Sequence, residues 1–202
     1  MTIGLGSGRA VWAVLDLLRT RGIRAAAASS RTEELLREAG IEVVDLDGSV
    51  RLLLAIDGAD EVDPSLGLIK GGGAAMLREK LLVKAADRFV VVAEASKKVA
   101  RLGETRRLPV EVVRFAWRDT RRRLLSLVPA ADLRMDDRGY VVVTDEGHYI
   151  LDCELPSSGD LVALGQAIKA EVGVVEHGLF IGLTSLALLG NADGSVERVS
   201  PR

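Results

Sequence analysis

The sequence has 202 residues, with 27 basic and 29 acidic side chains and a formal net charge of -2. This length allows one large domain, or one domain with a small second one, and the balanced charge gives no field that would recruit nucleic acid. Aromatic residues make up only 3%, so Leu, Val, Ile and Ala must build the core, which favours layered α/β structure over an all-β sandwich.

Cysteine usage and hydropathy indicate where the protein works. Cys153 is the single cysteine, so it has no partner for an intrachain disulfide. No charged and then apolar leader opens the sequence, and no apolar stretch approaches the ~18 residues of a membrane helix. We therefore expect a cytoplasmic protein with no membrane contact.

The first half of the chain alternates predicted strands and helices. In order, the patterns predict a strand and glycine turn at 2–8, a helix at 10–20, a strand at 24–28, a helix from Ser30 or Thr32 to Ala39, strands at 41–44 and 52–56, a helix at 74–86 and a strand at 88–93. Such alternation predicts a mostly parallel sheet that binds its ligand beyond the carboxyl ends of the strands.

The pattern changes from residue 108. It predicts a strand at 109–115, a helix at 117–127, paired strands at 140–144 and 149–153, a helix at 161–172, and a return to the first sheet within 178–189. The predicted fold is therefore α/β, with a mostly parallel, Rossmann-like sheet and helices on both faces in a domain of residues 1–104 and 179–202. A smaller α+β domain is predicted at 105–178.

Four carboxylates occupy the seven positions 57–63, directly after a predicted buried strand. An ordinary solvated turn would have the same composition. Adjacent carboxylates also raise one another's pKa, however, which suits proton transfer at this edge of a parallel sheet. The spacing does not fit a calcium loop, and His148 and His177 lie far away without ligand spacing, so we predict no metal site.

Two glycine-rich segments precede predicted helices. Glycines 71–73, after Lys70, let backbone N–H groups face a closely approaching ligand, whereas Glu79 taken alone is typical of a surface glutamate. Residues 4–9 resemble a phosphate cradle but lack the third glycine of the dinucleotide fingerprint and the G-K-[ST] ending of a P-loop. They remain a generic anion site before a helix.

Six segments together resemble one known family. They are IDGADEVD (56–63), KGGGAAMLREK (70–80), VVVAEASKKV (90–99), LPVEV (108–112), TDEGHYILD (144–152) and GVVEHGLF (173–180). In this order, over nearly the whole chain, they look like ribose-5-phosphate isomerase type A. The first two segments are specific, and the others support them.

The resemblance implies an aldose–ketose isomerase that interconverts D-ribose 5-phosphate and D-ribulose 5-phosphate through an enediol(ate), without metal or organic cofactor. It implies that Glu79 is the base that moves the proton between C1 and C2. Asp57, Asp60 and Lys70 would take part in ring opening and hydroxyl proton handling. The predicted substrate-binding residues are Lys97, Gly6, Ser7, Gly8, Arg9, Ala10, Gly71, Gly72 and Gly73.

The sequence departs from the family pattern near its start. The family's phosphate loop reads like G-x-G-T-G-S-T, and two of its hydroxyl positions are Arg9 and Ala10 here. Arg9 would either pair with the phosphate or point into solvent. The family also carries a helix ahead of the first strand, where this sequence begins. We therefore expect an apolar patch that is either covered by a partner subunit or accepted as a loss of stability, and we expect a homodimer or homotetramer.

Other functions are compatible with such a sequence. The main alternative is a non-catalytic sugar-phosphate-binding protein of the same fold with a degraded phosphate loop. Another enzyme of the same broad fold, such as an amino-sugar-phosphate deaminase or a coenzyme A transferase, would carry different active-site segments. All five acid–base positions are present here, which favours the isomerase.

Overall fold

The computed structural model describes residues 1–201. Its α-helices are α1 (Arg9–Trp12), α2 (Leu15–Leu18), α3 (Ser30–Glu38), α4 (Met76–Ala85), α5 (Trp117–Leu124) and α6 (Leu161–Ala170). Its strands are β1 (Thr2–Leu5), β2 (Arg24–Ala27), β3 (Glu42–Val43), β4 (Leu54–Asp57), β5 (Glu61–Val62), β6 (Leu68–Ile69), β7 (Phe89–Glu94), β8 (Leu108–Val112), β9 (Ala131–Leu133), β10 (Tyr149–Cys153), β11 (Val174–His177), β12 (Leu179–Phe180), β13 (Leu186–Gly190) and β14 (Val196–Val199).

The largest sheet has seven strands in the order β14-β13-β7-β4-β1-β2-β3. All neighbours in it run parallel except β14, which pairs antiparallel with β13. Since β7, β4 and β1 are adjacent and parallel, their carboxyl ends meet at one edge, where an open α/β sheet binds its ligand. The predicted α/β fold with a mostly parallel sheet is confirmed.

Alternate residues of β1 face opposite layers of helices. Ile3 and Leu5 pack in a buried cluster with Val11 and Leu36, which places α1 to α3 on one face. On the other face Gly4 lies against α4, where an added methyl group would sit 3.4 Å from Cβ of Leu82. The absence of a side chain at Gly4 therefore brings α4, and the acid that it carries, close to the sheet.

The second sheet has four strands in the order β11-β8-β10-β9, all antiparallel to their neighbours. Its strands all fall between residues 108 and 177, and α5 and α6 lie in the same stretch. A third, small sheet of β12, β6 and β5 adjoins them. The division of the chain into two domains, 1–104 with 179–202 and 105–178, stays a prediction, and its last residue, Arg202, lies outside the described residues.

Two predicted elements differ in the structure. The helix predicted over 10–20 is divided between α1 and α2, because Val14 bonds the carbonyl of Val11 three residues back and the turn tightens there. The strand predicted over 140–144 is wrong, since this segment makes only isolated bridges at Val141 and Val143. None of the helices within residues 1–201 has the length and apolar character needed to cross a membrane.

Candidate active site

A cleft of about 400 Å³ opens at the carboxyl edge of the large sheet. Three neighbouring strands supply its walls through the segments that follow them: the glycine loop after β1, the acidic segment after β4, and Lys97 after β7. The predicted site residues that line it are Ser7, Gly8, Arg9, Ala10, Asp60, Lys70, Gly71, Gly72, Gly73, Glu79 and Lys97. The sheet topology therefore gathers residues that are up to 90 positions apart (97 - 7).

Lys70 lies at the floor of this cleft between two carboxylates. Its Nζ is 2.9 Å from Oδ2 of Asp57 and 3.2 Å from Oε2 of Glu79, and it donates a 2.7 Å hydrogen bond to the carbonyl of Gly58. All three ionisable side chains are at least 96% buried. Asp57 does not line the cleft but lies behind Lys70, so it contacts the lysine rather than a ligand.

Local structure explains how these three groups meet. Asp57 ends β4, and its Oδ1 accepts a hydrogen bond from the N–H of Gly58. Lys70 directly follows β6, and its own N–H is held by the carbonyl of Gly178. Glu79 lies in the first turn of α4, on the buried side of the helix. Three separate elements therefore fix the three side chains.

Burial controls the charge states of this trio. Burial and the nearby Asp57 together raise the pKa of Glu79 to about 8, although Lys70 opposes the rise. Burial also raises the pKa of Asp57, again against the effect of Lys70. Burial alone would lower the pKa of Lys70, but the two carboxylates outweigh it and raise that pKa. One fixed cation thus faces two carboxyl groups that compete for it, which favours a proton-accepting carboxylate near neutral pH.

The glycine loops allow close backbone approach at two carboxylates. A methyl group at Gly6 would lie 1.8 Å from Cγ of Asp57, and one at Gly72 would lie 2.7 Å from Oδ1 of Asp60. The N–H of Gly72 instead donates a 2.8 Å hydrogen bond to Oδ2 of Asp60. Gly71 has a φ of 104°, in the region that favours glycine. Gly6 is buried beneath the cleft and does not line it.

Replacing Gly6 by alanine is therefore expected to displace Asp57 from Lys70. Overpacking at a buried position destabilises by about 1–3 kcal/mol, and we expect turnover to fall with the loss of the ion pair. Gly190→Ala is the matched control, because an added methyl group there meets nothing within 4 Å. Chemical denaturation and turnover of both variants test this, and a Gly6→Ala protein as stable and active as Gly190→Ala would contradict it.

Hydroxyl groups join the first glycine loop to the β2–α3 connection. Oγ of Ser7 and Oγ of Ser29 are 3.0 Å apart, and Ser29 also caps α3 by accepting from the N–H of Thr32. The Thr32 hydroxyl donates to the carbonyl of Gly6 at 2.9 Å and accepts from the indole of Trp12 at 3.0 Å. This network fixes the glycine loop in the wall of the cleft, which Arg9, Arg31 and Asp145 also line.

Sequence reasoning missed three charged residues that line the cleft, Arg31, Glu94 and Asp145. Asp145 comes from the turn before β10, and its Oδ2 accepts from the N–H of Ser30 at 2.8 Å and pairs with Arg78 at 3.3 Å. The sequence contained a signal for Asp145, because this residue belongs to one of the segments that carry the family resemblance, 144–152. Within residues 1–201, no group of three or more His, Cys, Asp or Glu side chains is arranged to hold a metal ion.

Known proteins resemble this chain along nearly its full length. A sequence profile of the family described as ribose 5-phosphate isomerase A (phosphoriboisomerase A) matches residues 24–194. The ribose-5-phosphate isomerase A of Roseiflexus sp. (strain RS-1) is 48% identical over 208 residues, covering 100% of this chain and 89% of the relative.

Solved structures agree in fold as well as in sequence. Ribose 5-phosphate isomerase A from Methanocaldococcus jannaschii is 34% identical with a TM-score of 0.92, covering 99% of this chain and 91% of that one. A D-ribose-5-phosphate isomerase in complex with phospho-erythronic acid is 33% identical with a TM-score of 0.92, covering 99% and 90%. The chain therefore belongs to the ribose 5-phosphate isomerase A family.

Proposed function

We propose that this chain interconverts D-ribose 5-phosphate and D-ribulose 5-phosphate through an enediolate, with Glu79 as the base. The observation that carries the proposal is the buried arrangement of Glu79, Lys70 and Asp57 at the floor of a cleft that is also lined by a glycine loop. Moving a proton between two carbons next to a carbonyl requires a positioned carboxylate, and the charge that develops on oxygen requires a cation or donors aimed at it.

The proposed reaction begins with the open-chain aldose. The carboxylate of Glu79 takes the proton from C2, the C–H electron pair forms the C1=C2 double bond, and the carbonyl electrons move onto O1. Lys70 and Lys97 line the cleft as cations that stabilise this oxyanion. A proton then moves from O2 to O1, and the protonated Glu79, after exchange of its proton with solvent, protonates C1, which leaves a ketone at C2. Atoms and electrons balance without any co-reactant.

The remaining acidic groups have separate roles in the proposal. Asp60 is half-buried and lines the cleft, so it is placed to exchange protons with the sugar hydroxyls and to help open the furanose ring. Asp57 has no access to the cleft, and we propose that it acts through Lys70 by holding that ammonium group in place. Asp57 and Asp60 are three positions apart, yet they are proposed to differ in function because only Asp60 lines the cleft.

The glycine loop after β1 is proposed to bind the phosphate. Ser7, Gly8 and Ser29 line the cleft there, with the hydroxyls of Ser7 and Ser29 3.0 Å apart, and Arg9 is exposed at the cleft wall. A phosphate held far from the reacting carbons gives binding energy that orients the sugar. One solved relative binds phospho-erythronic acid. This compound carries a phosphate and, in place of the reacting carbons, a planar carboxylate that resembles an enediolate.

The pH dependence of turnover tests the role of the buried pair. Because the base must be ionised, kcat/KM is expected to rise with pH and to level off above an apparent pKa near 8. Asp57 and Glu79 interact, so this apparent value belongs to both groups. A rate profile whose acidic limb ends near the ordinary glutamate pKa of 4.5 would contradict the assignment.

The same shift predicts how stability changes with pH. Folded Glu79 keeps its proton up to about pH 8, whereas the unfolded chain loses it above 4.5. Between these values the folded state binds more protons, so the free energy of unfolding falls as the pH rises. Urea denaturation from pH 5 to pH 8 checks the sign, and Glu79→Gln should remove part of the slope.

Replacing Arg9 by alanine is expected to raise KM for D-ribose 5-phosphate by about 10-fold while kcat changes by less than about 3-fold, since a charge-assisted hydrogen bond to a non-reacting group is lost. Arg21→Ala is the control, because Arg21 is exposed and lies outside the cleft. Equal KM values for the two variants would show that Arg9 points into solvent, and that the phosphate depends on the loop alone.

The alternatives predict different results in a simple assay. A non-catalytic sugar-phosphate-binding protein would bind D-ribose 5-phosphate without turnover, although all five acid–base positions are present and four of them line one cleft. A deaminase would release ammonia, and a coenzyme A transferase would exchange a thioester. Isomerisation in the presence of a chelator is the result that the proposal expects, and nothing in the structure favours the other functions.

The last part of the proposal concerns the cellular location and the oligomeric state of the enzyme. We propose that it works in the cytoplasm on a free sugar phosphate, consistent with a single, buried cysteine, and that it forms a homodimer or homotetramer. Phe115 and Val172 are large apolar side chains that are 88% and 81% exposed, and a subunit interface over them would remove this apolar surface from water. Analytical ultracentrifugation that shows only a monomer would contradict the oligomer.

A further inference from the structure

Arg134 links the second sheet to the catalytic glycine loop. It directly follows β9, and its guanidinium pairs with both carboxylate oxygens of Asp152 on β10, with Nε 2.9 Å from Oδ2. The remaining nitrogen, Nη1, donates to the carbonyl of Gly71 at 2.7 Å and to the carbonyl of Gly72 at 3.2 Å. No motif or spacing in the sequence singles out this arginine.

The glycine loop is the wall between two cavities. Asp60 and Gly72 line both the catalytic cleft and a second cavity of about 510 Å³, whereas Arg134 lines only the second cavity and Gly73 only the cleft. Arg134 therefore reaches the loop from the side opposite the substrate. Its guanidinium has no direct access to the reacting atoms.

The hydrogen bonds fix the orientation of two peptide units. In a trans peptide the C=O of one residue and the N–H of the next point in opposite directions. The N–H of Gly72 accordingly points away from Arg134 and donates to Asp60 at 2.8 Å. By the same geometry, the carbonyl of Gly72 held by Arg134 directs the N–H of Gly73 away from Arg134, toward the cleft that Gly73 lines.

We propose that Arg134 is a positioning residue for the isomerisation: held by Asp152, it keeps the carbonyls of Gly71 and Gly72 turned away from the cleft. This orientation leaves the Gly73 N–H as a donor to a developing oxyanion and sets the position of Asp60 through Gly72. The inference rests on the proposed function. It requires an arginine, because only a planar fork can pair with a carboxylate on one edge and bond two carbonyls on the other.

Kinetics of position 134 variants test this role. Arg134→Gln and Arg134→Lys are expected to lower kcat by about 10- to 100-fold, because misplacement of the reacting groups slows the chemical step. KM should change by less than about 3-fold, because the phosphate loop is untouched. The matched control is Arg107→Gln, since Arg107 lines the same second cavity and pairs with Asp132 without touching the loop. Wild-type kcat in both Arg134 variants would overturn the proposal.

A second readout separates positioning from general stability. Amide hydrogen exchange at Gly72 and Gly73 should become faster in Arg134→Gln, while the strands β1 and β4 keep wild-type protection. If that variant fails to fold, Asp152→Asn keeps the arginine but weakens its anchor, and the same lower kcat and faster exchange are expected. Unchanged exchange at both glycines would overturn the proposal whether or not the enzyme is active.

Chemical rescue gives a further distinction. Guanidinium ion at millimolar concentration should partly restore kcat to Arg134→Ala, whereas equal concentrations of urea or sodium chloride should not, because only guanidinium replaces the lost fork. Absence of wild-type isomerase activity would refute the proposed function, while the exchange measurement would still decide the role of Arg134.

Discussion

Glu79→Gln is expected to lower kcat by about 10²- to 10⁴-fold, the range that a positioned general base contributes. Glutamine keeps the shape of the side chain and has no basic oxygen that can accept the C2 proton. Because Glu79 is 96% buried at the cleft floor, water has little room to replace it as the base. The substitution leaves the residues of the proposed phosphate loop unchanged, so affinity for the sugar phosphate should be nearly unchanged.

Steady-state kinetics and calorimetric binding of D-ribose 5-phosphate measure these two effects separately. Glu38→Gln is the matched control, because it makes the same change from carboxyl to amide at an exposed glutamate at the end of α3. If Glu79→Gln kept the kcat of Glu38→Gln, another group would be the base. If it lost binding as strongly as turnover, Glu79 would be a ligand contact rather than a base.

Lys70→Met is expected to destabilise the fold by about 3–5 kcal/mol, the usual cost of removing one partner from a buried ion pair. Lys70 is the cation between two carboxyl groups that are each at least 96% buried, and its loss leaves both without a counter-charge. Methionine has a similar length, so the cost arises from charge rather than from a cavity. Turnover should be lost as well, since the cation at the cleft floor is gone.

A double substitution separates charge from packing. Adding Asp57→Asn to Lys70→Met removes one of the two buried carboxyl groups that have lost their cation, so it should recover part of the lost stability. If the two substitutions acted independently, their losses of stability would add. Lys84→Met, on the exposed side of α4, controls for the loss of a lysine. A Lys70→Met protein as stable as Lys84→Met would show that the trio does not carry the charges assigned to it.

Local sequence patterns predicted the mostly parallel sheet and the edge of that sheet at which the cleft lies. The apolar run at 52–56 and the alternation around it predicted a parallel sheet, and residues 7–10, Asp60 and Lys97 line one cleft at its carboxyl edge. The roles of these residues stay predictions. The resemblance, rather than the periodicity, drew attention to Glu79, which local pattern alone would have left as a surface residue.

Long-range contacts explain what the patterns missed. Asp57 was expected in the site, but only the packing of β4, β6 and α4 shows that it lies behind Lys70. Arg134 reaches the glycine loop at 71–73, and Asp145 reaches the start of α3, from distant segments, and no spacing rule connects residues 63 positions apart (134 - 71). The segment 140–144 is rich in β-branched residues, which favour strands, yet it has partners only at two isolated bridges.

The most direct test of the central claim is isomerisation of D-ribose 5-phosphate by this chain in D₂O, with a chelator present and the product examined by NMR. Proton transfer through Glu79 predicts D-ribulose 5-phosphate that carries deuterium at C1, because the abstracted proton exchanges with solvent before it is returned. D-ribulose 5-phosphate without deuterium above the enzyme-free control, or no product at all, would contradict the account.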